Sequence, residues 1–438
     1  MKPESLSLYL VTDRALSKGR DLEYLVKEAV KGGVSMVQLR EKDCDTGRFI
    51  ELAGSLKKEL SPLGIPLIIN DRVDVALAVD ADGVHIGQSD MPYELARKLL
   101  GPDKIIGLSV ENIDDLLKAN ELDVDYVGIS PVYDTSTKTD TAPAFGLKGL
   151  KDAVRLSLHP TVAIGGMNAE TAAEVMMTGC DGIAVVSAIS SADSPSEAAG
   201  QLRNIVEANR RTLWTQSIWR KSSRIYNSIL KEDFIKELSD GSLPVDRFSR
   251  YLAQDEVYLS NYYRQMFELA ELMDSESNKA LFTAFAQSGM EGEQAMHQML
   301  IEKYDIATDV KASVITKAYN ELTQSGIDCG NRCIALAGML PCMWIYNRVG
   351  LHIFGNARLE GNPYKEWILE YGNQEFTEGV DTVLDIIDNW AITASEATIA
   401  KMDEYYLRAA LYEYAFWDYG YHGDDKNYDY AEALEEWI

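Results

Sequence analysis

The chain has 438 residues, of which 46% are hydrophobic, and a formal net charge of −27. That length exceeds one ordinary core, so two domains of roughly 100–200 residues each are expected. The charge weighs against any broad surface for nucleic acid or anionic lipid, so neither partner is expected, and an anionic ligand must be held by local cations or a metal. No uninterrupted apolar run reaches the roughly 18 residues of a membrane span, and no charged-then-apolar signal pattern opens the chain, which together predict a cytoplasmic protein. The five cysteines, Cys44, Cys180, Cys329, Cys333 and Cys342, are odd in number and scattered, which argues against a disulfide framework.

Residues 1–208 alternate short apolar runs with amphipathic stretches. The runs are Leu6–Asp13, Ser35–Glu41, Pro66–Arg72, Gly83–Gly87, Ile105–Val110, Tyr126–Val132, Thr161–Met167 and Gly182–Ile189. Helical patterns lie between most of them, Glu23–Lys31 and Asn168–Gly179 being examples. Eight β-then-α units predict a closed (β/α)8 TIM barrel, with a doubly wound open sheet as the alternative. The pattern changes near residue 212. β-branched runs thin out, and Trp, Tyr, Phe and Met recur at helical spacing, as in Phe248–Met273 and Ile386–Trp417, so 212–438 reads as an all-α helical bundle. The join is expected in a helix around Ala198–Leu213, and the acidic, aromatic tail after Gly423 as a packed terminal segment.

Barrel chemistry sits at the C-terminal ends of the strands. Those ends read Arg40 and Lys42, Asn70 and Asp71, Asp90, Ser109, and Thr135-Ser136-Thr137-Lys138; Gly165-Gly166 follow run seven, and Val186-Ser187 are placed in strand eight. Asp71 and Asp90 are hard oxygen ligands of the kind Mg²⁺ prefers, and Arg40, Lys42 and Lys138 suit diphosphate oxygens. The loops after strands seven and eight suit a phosphate, since glycine lets the backbone approach it closely. Singly, an Asp after a strand caps a helix, a loop Lys is solvated and a Gly pair makes a turn; the joint placement points to chemistry. His85, inside strand four, reads as a core histidine or one supporting the site.

The segments Gln-Leu-Arg-Glu-Lys, Ile-Ile-Asn-Asp-Arg, Gly-Val-His-Ile-Gly-Gln-Ser-Asp, Thr-Ser-Thr-Lys and Ala-Ile-Gly-Gly resemble thiamine-phosphate synthase over residues 6–207. The resemblance implies that Gln38, Leu39, Arg40, Glu41, Lys42, Asn70, Ser109 and Lys138 bind hydroxymethylpyrimidine diphosphate, with Lys138 also catalytic. It implies that Asp71 and Asp90 hold Mg²⁺, and that Thr135, Ser136, Thr137, Gly166, Val186 and Ser187 hold a thiazole phosphate. The reaction implied is displacement of diphosphate at the pyrimidine methylene by the thiazole nitrogen.

In the second half, Cys342 in Met-Leu-Pro-Cys-Met-Trp-Ile-Tyr is a candidate nucleophile. Pro341 removes one helical donor and is expected to kink or start a helix there. Tyr346 shares the face of Cys342 at i+4, Asp255 and Tyr258 share another, and Trp367 and Tyr371 repeat the i, i+4 spacing. Glu413 lies among Tyr412, Phe416 and Trp417, and a carboxyl among aromatics tends to hold its proton, which suits an acid/base. Cysteine and aromatic stripes equally suit an inert core. Cys329 and Cys333 read as sharing a helical face, with no paired histidines to make a zinc site.

The segments Tyr-Leu-Ala-Gln-Asp-Glu-Val-Tyr-Leu, Met-Leu-Pro-Cys-Met-Trp-Ile-Tyr, Tyr-Lys-Glu-Trp-Ile-Leu-Glu-Tyr and Tyr-Glu-Tyr-Ala-Phe-Trp are similar to thiaminase II (TenA-type) proteins over about 212–422. That resemblance implies a heme-oxygenase-like bundle, Cys342 as nucleophile, Glu413 as acid/base, Asp255 on the aminopyrimidine edge, and Tyr258, Tyr319, Tyr346 and Tyr371 lining the pocket. It also implies a homo-oligomer through the helical domain and deamination of aminomethylpyrimidine, with thiamin cleavage as a further activity. Between Tyr319 and Cys342 the chain departs from the family, carrying Cys-Gly-Asn-Arg-Cys where small and acidic residues are usual. Two alternatives stay open: a non-catalytic pyrimidine- or thiamin-sensing helical domain, and another phosphate-binding (β/α)8 lyase in the first half.

Overall fold

The computed structural model describes residues 3–134 and 142–424. Thr135, Ser136, Thr137 and Lys138, and the tail beyond Asp424, lie outside the described residues, as does the side chain of Tyr371. The chain divides into two compact units, Met1–Gln216 and Ser217–Ile438.

The first unit is a closed parallel barrel of eight strands in sequence order. Its elements are β1 (Leu8–Val11), α1 (Leu22–Lys31), β2 (Met36–Leu39), α2 (Thr46–Leu60), β3 (Leu67–Asn70), α3 (Val73–Ala78), β4 (Gly83–Ile86), α4 (Tyr93–Leu100) and β5 (Ile105–Val110). There follow α5 (Ile113–Ala119), β6 (Tyr126–Ile129), α6 (Gly146–Leu156), β7 (Thr161–Ile164), α7 (Ala172–Met177), β8 (Gly182–Val185), α8 (Ser187–Ser190) and α9 (Pro195–Asn209). Each strand falls within a run predicted from sequence and is buried, because both faces are covered: side chains fill the barrel on one and helices pack on the other. Tyr9, Val11, Met36, Ile68, Tyr126, Val162 and Ala184 form one buried cluster.

Two local readings are corrected. The helix expected over Asn168–Gly179 is only α7, because Asn168 Oδ1 accepts from the backbone N–H of Glu170 and Thr171 and holds the entry in an Asx turn. Strand eight stops at Val185, so Val186 and Ser187 belong to the cap and first turn of α8; the Ser190 N–H already donates to the Val186 carbonyl at 2.9 Å.

Among the described residues, the second unit is all helical. It comprises α10 (Trp214–Ile229, within which the division falls), α11 (Asp233–Asp240), α12 (Val245–Glu271), α13 (Glu276–Tyr304), α14 (Val314–Asp328), α15 (Arg332–Asn356), α16 (Lys365–Tyr371), α17 (Gln374–Ala391) and α18 (Glu396–His422). The stretch Ile386–Trp417 is two helices, not one: Ser395 caps α18 by accepting from the Thr398 N–H and breaks the run after Ala391. Cys329 caps α14 whereas Cys333 opens α15, so they do not share one helix face, and all five cysteines are free. Pro341 lies inside α15 and does not start it. By length and composition α15 could cross a membrane, yet 72% of its apolar window is buried within the protein.

Gly182 shows how tightly the barrel closes. A Cβ there would lie 1.8 Å from the Leu6 carbonyl oxygen, a backbone atom with no room to retreat. Gly182→Ala is expected to destabilise the first unit by about 2 kcal/mol or more, read as a lower denaturation midpoint by circular dichroism.

Candidate active sites

Parallel pairing brings the strand ends level: Leu39 stands beside Ile69, Asn70 beside His85 and Ser109 beside Gly128. The chain leaving β2 carries Arg40 and Lys42 to the rim. Arg40 pairs with Asp13 at 3.2 Å, and Lys42 Nζ donates to Asp71 Oδ2 at 2.6 Å. Asp71 itself adopts a left-handed backbone (φ 61°), with its N–H held by the His85 carbonyl at 2.9 Å. An aspartate in that region costs conformational energy, and such outliers gather at functional sites. Asp90 closes a tight turn, its Oδ2 accepting from the Gly87 N–H at 2.7 Å. Burial pushes the Asp90 carboxyl up from its usual range, and Asp71 beside it pushes the same way, against the Gly87 N–H and Lys42.

Within the Gln38–Lys42 run the side chains diverge. Gln38 points into the buried barrel, Leu39 is buried, and Glu41 pairs with Arg14 through two bonds of 3.1 Å. Asn70 and Ser109 are half-buried at the mouth. Gly165 and Gly166 both have positive φ (97° and 74°), and a Cβ on either would strike Pro131 or Tyr133. Ser187 is exposed and Val186 half-buried beyond them.

Among the described residues no group of three or more His, Cys, Asp or Glu side chains could hold a metal. The neighbouring carboxyl groups of Asp71 and Asp90 nevertheless fit Mg²⁺, which takes one or two carboxylates and fills its other positions with substrate phosphate oxygens and water.

The helical unit holds a partly open cavity of about 340 Å³. Asp255 and Tyr258 enter it from α12, Tyr319 from α14, Cys342 and Tyr346 from α15, and Glu413 from α18. Tyr319 donates to Glu413 Oε1 at 2.7 Å. Burial raises the Glu413 carboxyl to about 8, opposed by the Tyr319 bond and reinforced by Asp255. Glu413 is therefore protonated at neutral pH. Tyr346 shares a 2.7 Å hydrogen bond with Tyr251, and both rings stack on Trp417.

Sequence reasoning missed several residues. Tyr9 and Tyr126 join Gln38, His85 and Ser109 in one buried chain of hydrogen bonds. Their signal was available, since each is a hydroxyl in a strand otherwise of Leu, Ile, Val and Gly. Behind Asp255, the buried His297 lies 3.4 Å from its Oδ2 and bonds Glu256 at 2.8 Å. Nothing local marked that pairing, which spans 41 positions. Tyr251 was also missed.

Residues 8–189 match the family model described as thiamine monophosphate synthase, and 219–423 match that of the TENA/THI-4/PQQC family. A thiamine-phosphate synthase from Albidiferax ferrireducens is 52% identical over 205 residues, covering 47% of this chain and 94% of that protein. Another, from Syntrophomonas wolfei, is 52% identical over 203 residues, 46% of this chain and 97% of that one. Among solved structures, a thiamine phosphate pyrophosphorylase from Pyrococcus furiosus is 40% identical, covers 47% of this chain and 98% of its own, and has a TM-score of 0.44. A TenA homologue from P. horikoshii is 22% identical, covers 49% and 100%, and has a TM-score of 0.45. Through its barrel the chain belongs to the thiamine-phosphate synthase family, and a helical unit that matches the TENA/THI-4/PQQC family model follows in the same polypeptide.

Proposed function

We propose that the barrel joins hydroxymethylpyrimidine diphosphate to a thiazole phosphate, and that the helical unit deaminates aminomethylpyrimidine to hydroxymethylpyrimidine in the cytoplasm. The observation that carries the first part is the mouth of the barrel, where Lys42, Asp71 and Asp90 meet from three successive strands, with Arg40 paired to Asp13 at the end of β2. In the condensation the methylene–oxygen bond breaks and its electron pair leaves with the diphosphate. The thiazole nitrogen then supplies the lone pair for the new carbon–nitrogen bond, so no base is needed on that nucleophile. Charge grows on the departing diphosphate, and cations fixed beforehand stabilise that state more than the ground state. Arg40 and Lys42 would exchange their present carboxylate partners for diphosphate oxygens. Asp71 and Asp90 would hold Mg²⁺, whose charge offsets that of the leaving group when bound. Gly165, Gly166, Val186 and Ser187 would receive the thiazole phosphate.

The second part rests on Cys342, protonated Glu413 and Asp255 facing one cavity. The Cys342 sulfur adds to the pyrimidine ring, and Glu413 gives its proton to the departing amine, which leaves as ammonia. Water adds at the methylene carbon and returns a proton to Glu413, and the sulfur is released. Asp255 accepts from the aminopyrimidine edge. The TENA/THI-4/PQQC match does not itself distinguish this from a ligand-sensing unit; measured ammonia release does.

Asp71→Asn and Asp90→Asn are each expected to lower thiamin phosphate formation at least about 100-fold, with part of the loss recovered at high Mg²⁺, while leaving ammonia release by the helical unit unchanged. Cys342→Ser should abolish ammonia release and spare condensation; ammonia release at the wild-type rate would remove Cys342 from the mechanism. Because Glu413 acts as an acid, kcat/KM for deamination should fall as pH rises through about 8. The same group lowers stability between its ordinary 4.5 and about 8, where the folded chain binds a proton that the unfolded chain has lost. Glu413→Gln should therefore lose deamination yet flatten the decline in unfolding free energy over that window, a decline of at most about 1.4 kcal/mol per pH unit.

A further inference from the structure

Two consecutive carboxyl groups on α12 face different surroundings. Asp255 lines the reaction cavity, whereas Glu256 lines, with Ser260 and Arg264, a second cavity of about 290 Å³ between α12 and α13. Neighbouring side chains on a helix point roughly 100° apart, so one stretch of backbone can present a carboxyl to each cavity. The buried His297 of α13 stands where the two faces meet. Its Nδ1 lies 2.8 Å from Glu256 Oε2, and its Nε2 lies 3.4 Å from Asp255 Oδ2. The two helices run close together: further back on α13, a Cβ on Gly289 would lie 2.7 Å from the Tyr263 ring of α12. The Arg264 side chain that shares the second cavity is engaged by Glu268 and Gln324.

The distances fix the proton count of the three groups. The His297 bond holds the half-buried Glu256 carboxyl below its ordinary range, so Glu256 is ionised at neutral pH and accepts from Nδ1–H. Asp255 Oδ2 is buried, and among the described residues no hydrogen bond reaches it. Two bare lone pairs facing each other at 3.4 Å would repel, so a proton belongs between Oδ2 and Nε2. Whether the oxygen or the nitrogen carries it, the three groups together bear one negative charge. In both arrangements Oδ2 is turned to the ring, and Oδ1 is the oxygen left for a ligand. Without the ring, nothing among these groups fixes which oxygen faces the cavity.

Resting on the deaminase reading of the helical unit, we propose that His297 is a positioning residue, gripped by Glu256 from outside the reaction cavity, and that it fixes the Asp255 carboxyl against the aminopyrimidine edge. Glu256 thereby governs pyrimidine affinity without lining the cavity in which the pyrimidine sits. The edge contact exists before the ring is attacked and persists while it reacts, so its loss is felt in KM rather than in kcat.

The test uses the full chain and two separate readouts: kcat and KM for ammonia release from aminomethylpyrimidine, and calorimetric Kd for hydroxymethylpyrimidine. His297→Leu should raise KM and Kd about tenfold or more with kcat within about threefold of wild type, and Glu256→Gln should raise both constants about threefold. His297→Gln, which keeps an N–H near the place of Nε2, should recover part of the loss. In an Asp255→Asn background neither His297→Leu nor Glu256→Gln should change Kd by more than about twofold, because the group they act through is gone. If His297→Leu does not fold, Glu256→Gln decides, since its side chain is half-buried and outside the reaction cavity. Variants that bind hydroxymethylpyrimidine as tightly as wild type, or whose losses multiply with that of Asp255→Asn, overturn the positioning role. A wild type that binds hydroxymethylpyrimidine yet releases no ammonia overturns the deaminase reading, and the binding cycle still decides for or against His297. A wild type that binds no pyrimidine overturns both.

Discussion

An ionised carboxylate leaves water only against an opposite charge or by taking up a proton, and the two sites adopt opposite solutions. At the barrel mouth, Asp71 stays within reach of solvent and pairs with Lys42, and Asp90 beside it is turned against a backbone N–H. Burial pushes the Asp90 carboxyl up, and the Gly87 N–H and Lys42 oppose that push. In the helical cavity Glu413 accepts from the Tyr319 hydroxyl with Asp255 nearby, and burial favours its protonated form. On the proposed reading a carboxyl group would serve as a metal ligand in one unit and as a proton donor in the other, and its surroundings decide which.

The net charge of −27 sharpens the first case. A diphosphate approaching such a chain is repelled at long range, though salt screens that field beyond about 10 Å. Binding must then come from cations placed within a few ångströms. Arg40 and Lys42 are already bonded to Asp13 and Asp71 at 3.2 and 2.6 Å, which holds them near the mouth at little conformational cost. Such exposed or half-exposed pairs contribute little to stability; their consequence is preorganisation.

The eight strands were legible because every run was short, apolar and followed by a polar end, and closure keeps those ends level. What period and composition do not encode is where a run stops. Val186 and Ser187 continue the apolar pattern of strand eight, yet a helical bond from Ser190 captures Val186. Asn168 and Ser395 set where helices start, through side-chain acceptors that a periodicity count ignores. In the sites, residues aligned on one helix or at one strand end could be found in the sequence, as Cys342 with Tyr346 and Asn70 with Asp71. Partnerships between distant segments could not: Arg14 with Glu41, Tyr9 with Tyr126, and His297 with Asp255 and Glu256 depend on register and helix packing that no local signal carries.

On the proposed reading both units handle the same pyrimidine ring but not the same molecule. Deamination ends at a free hydroxymethyl group, whereas the barrel needs that oxygen bonded to diphosphate. Two phosphoryl transfers must come between, and the sequence has no Walker-type G-x-x-x-x-G-K-[ST] loop to perform them. On that reading the two activities are not consecutive steps. What a single polypeptide secures is equal amounts of the first and last activities.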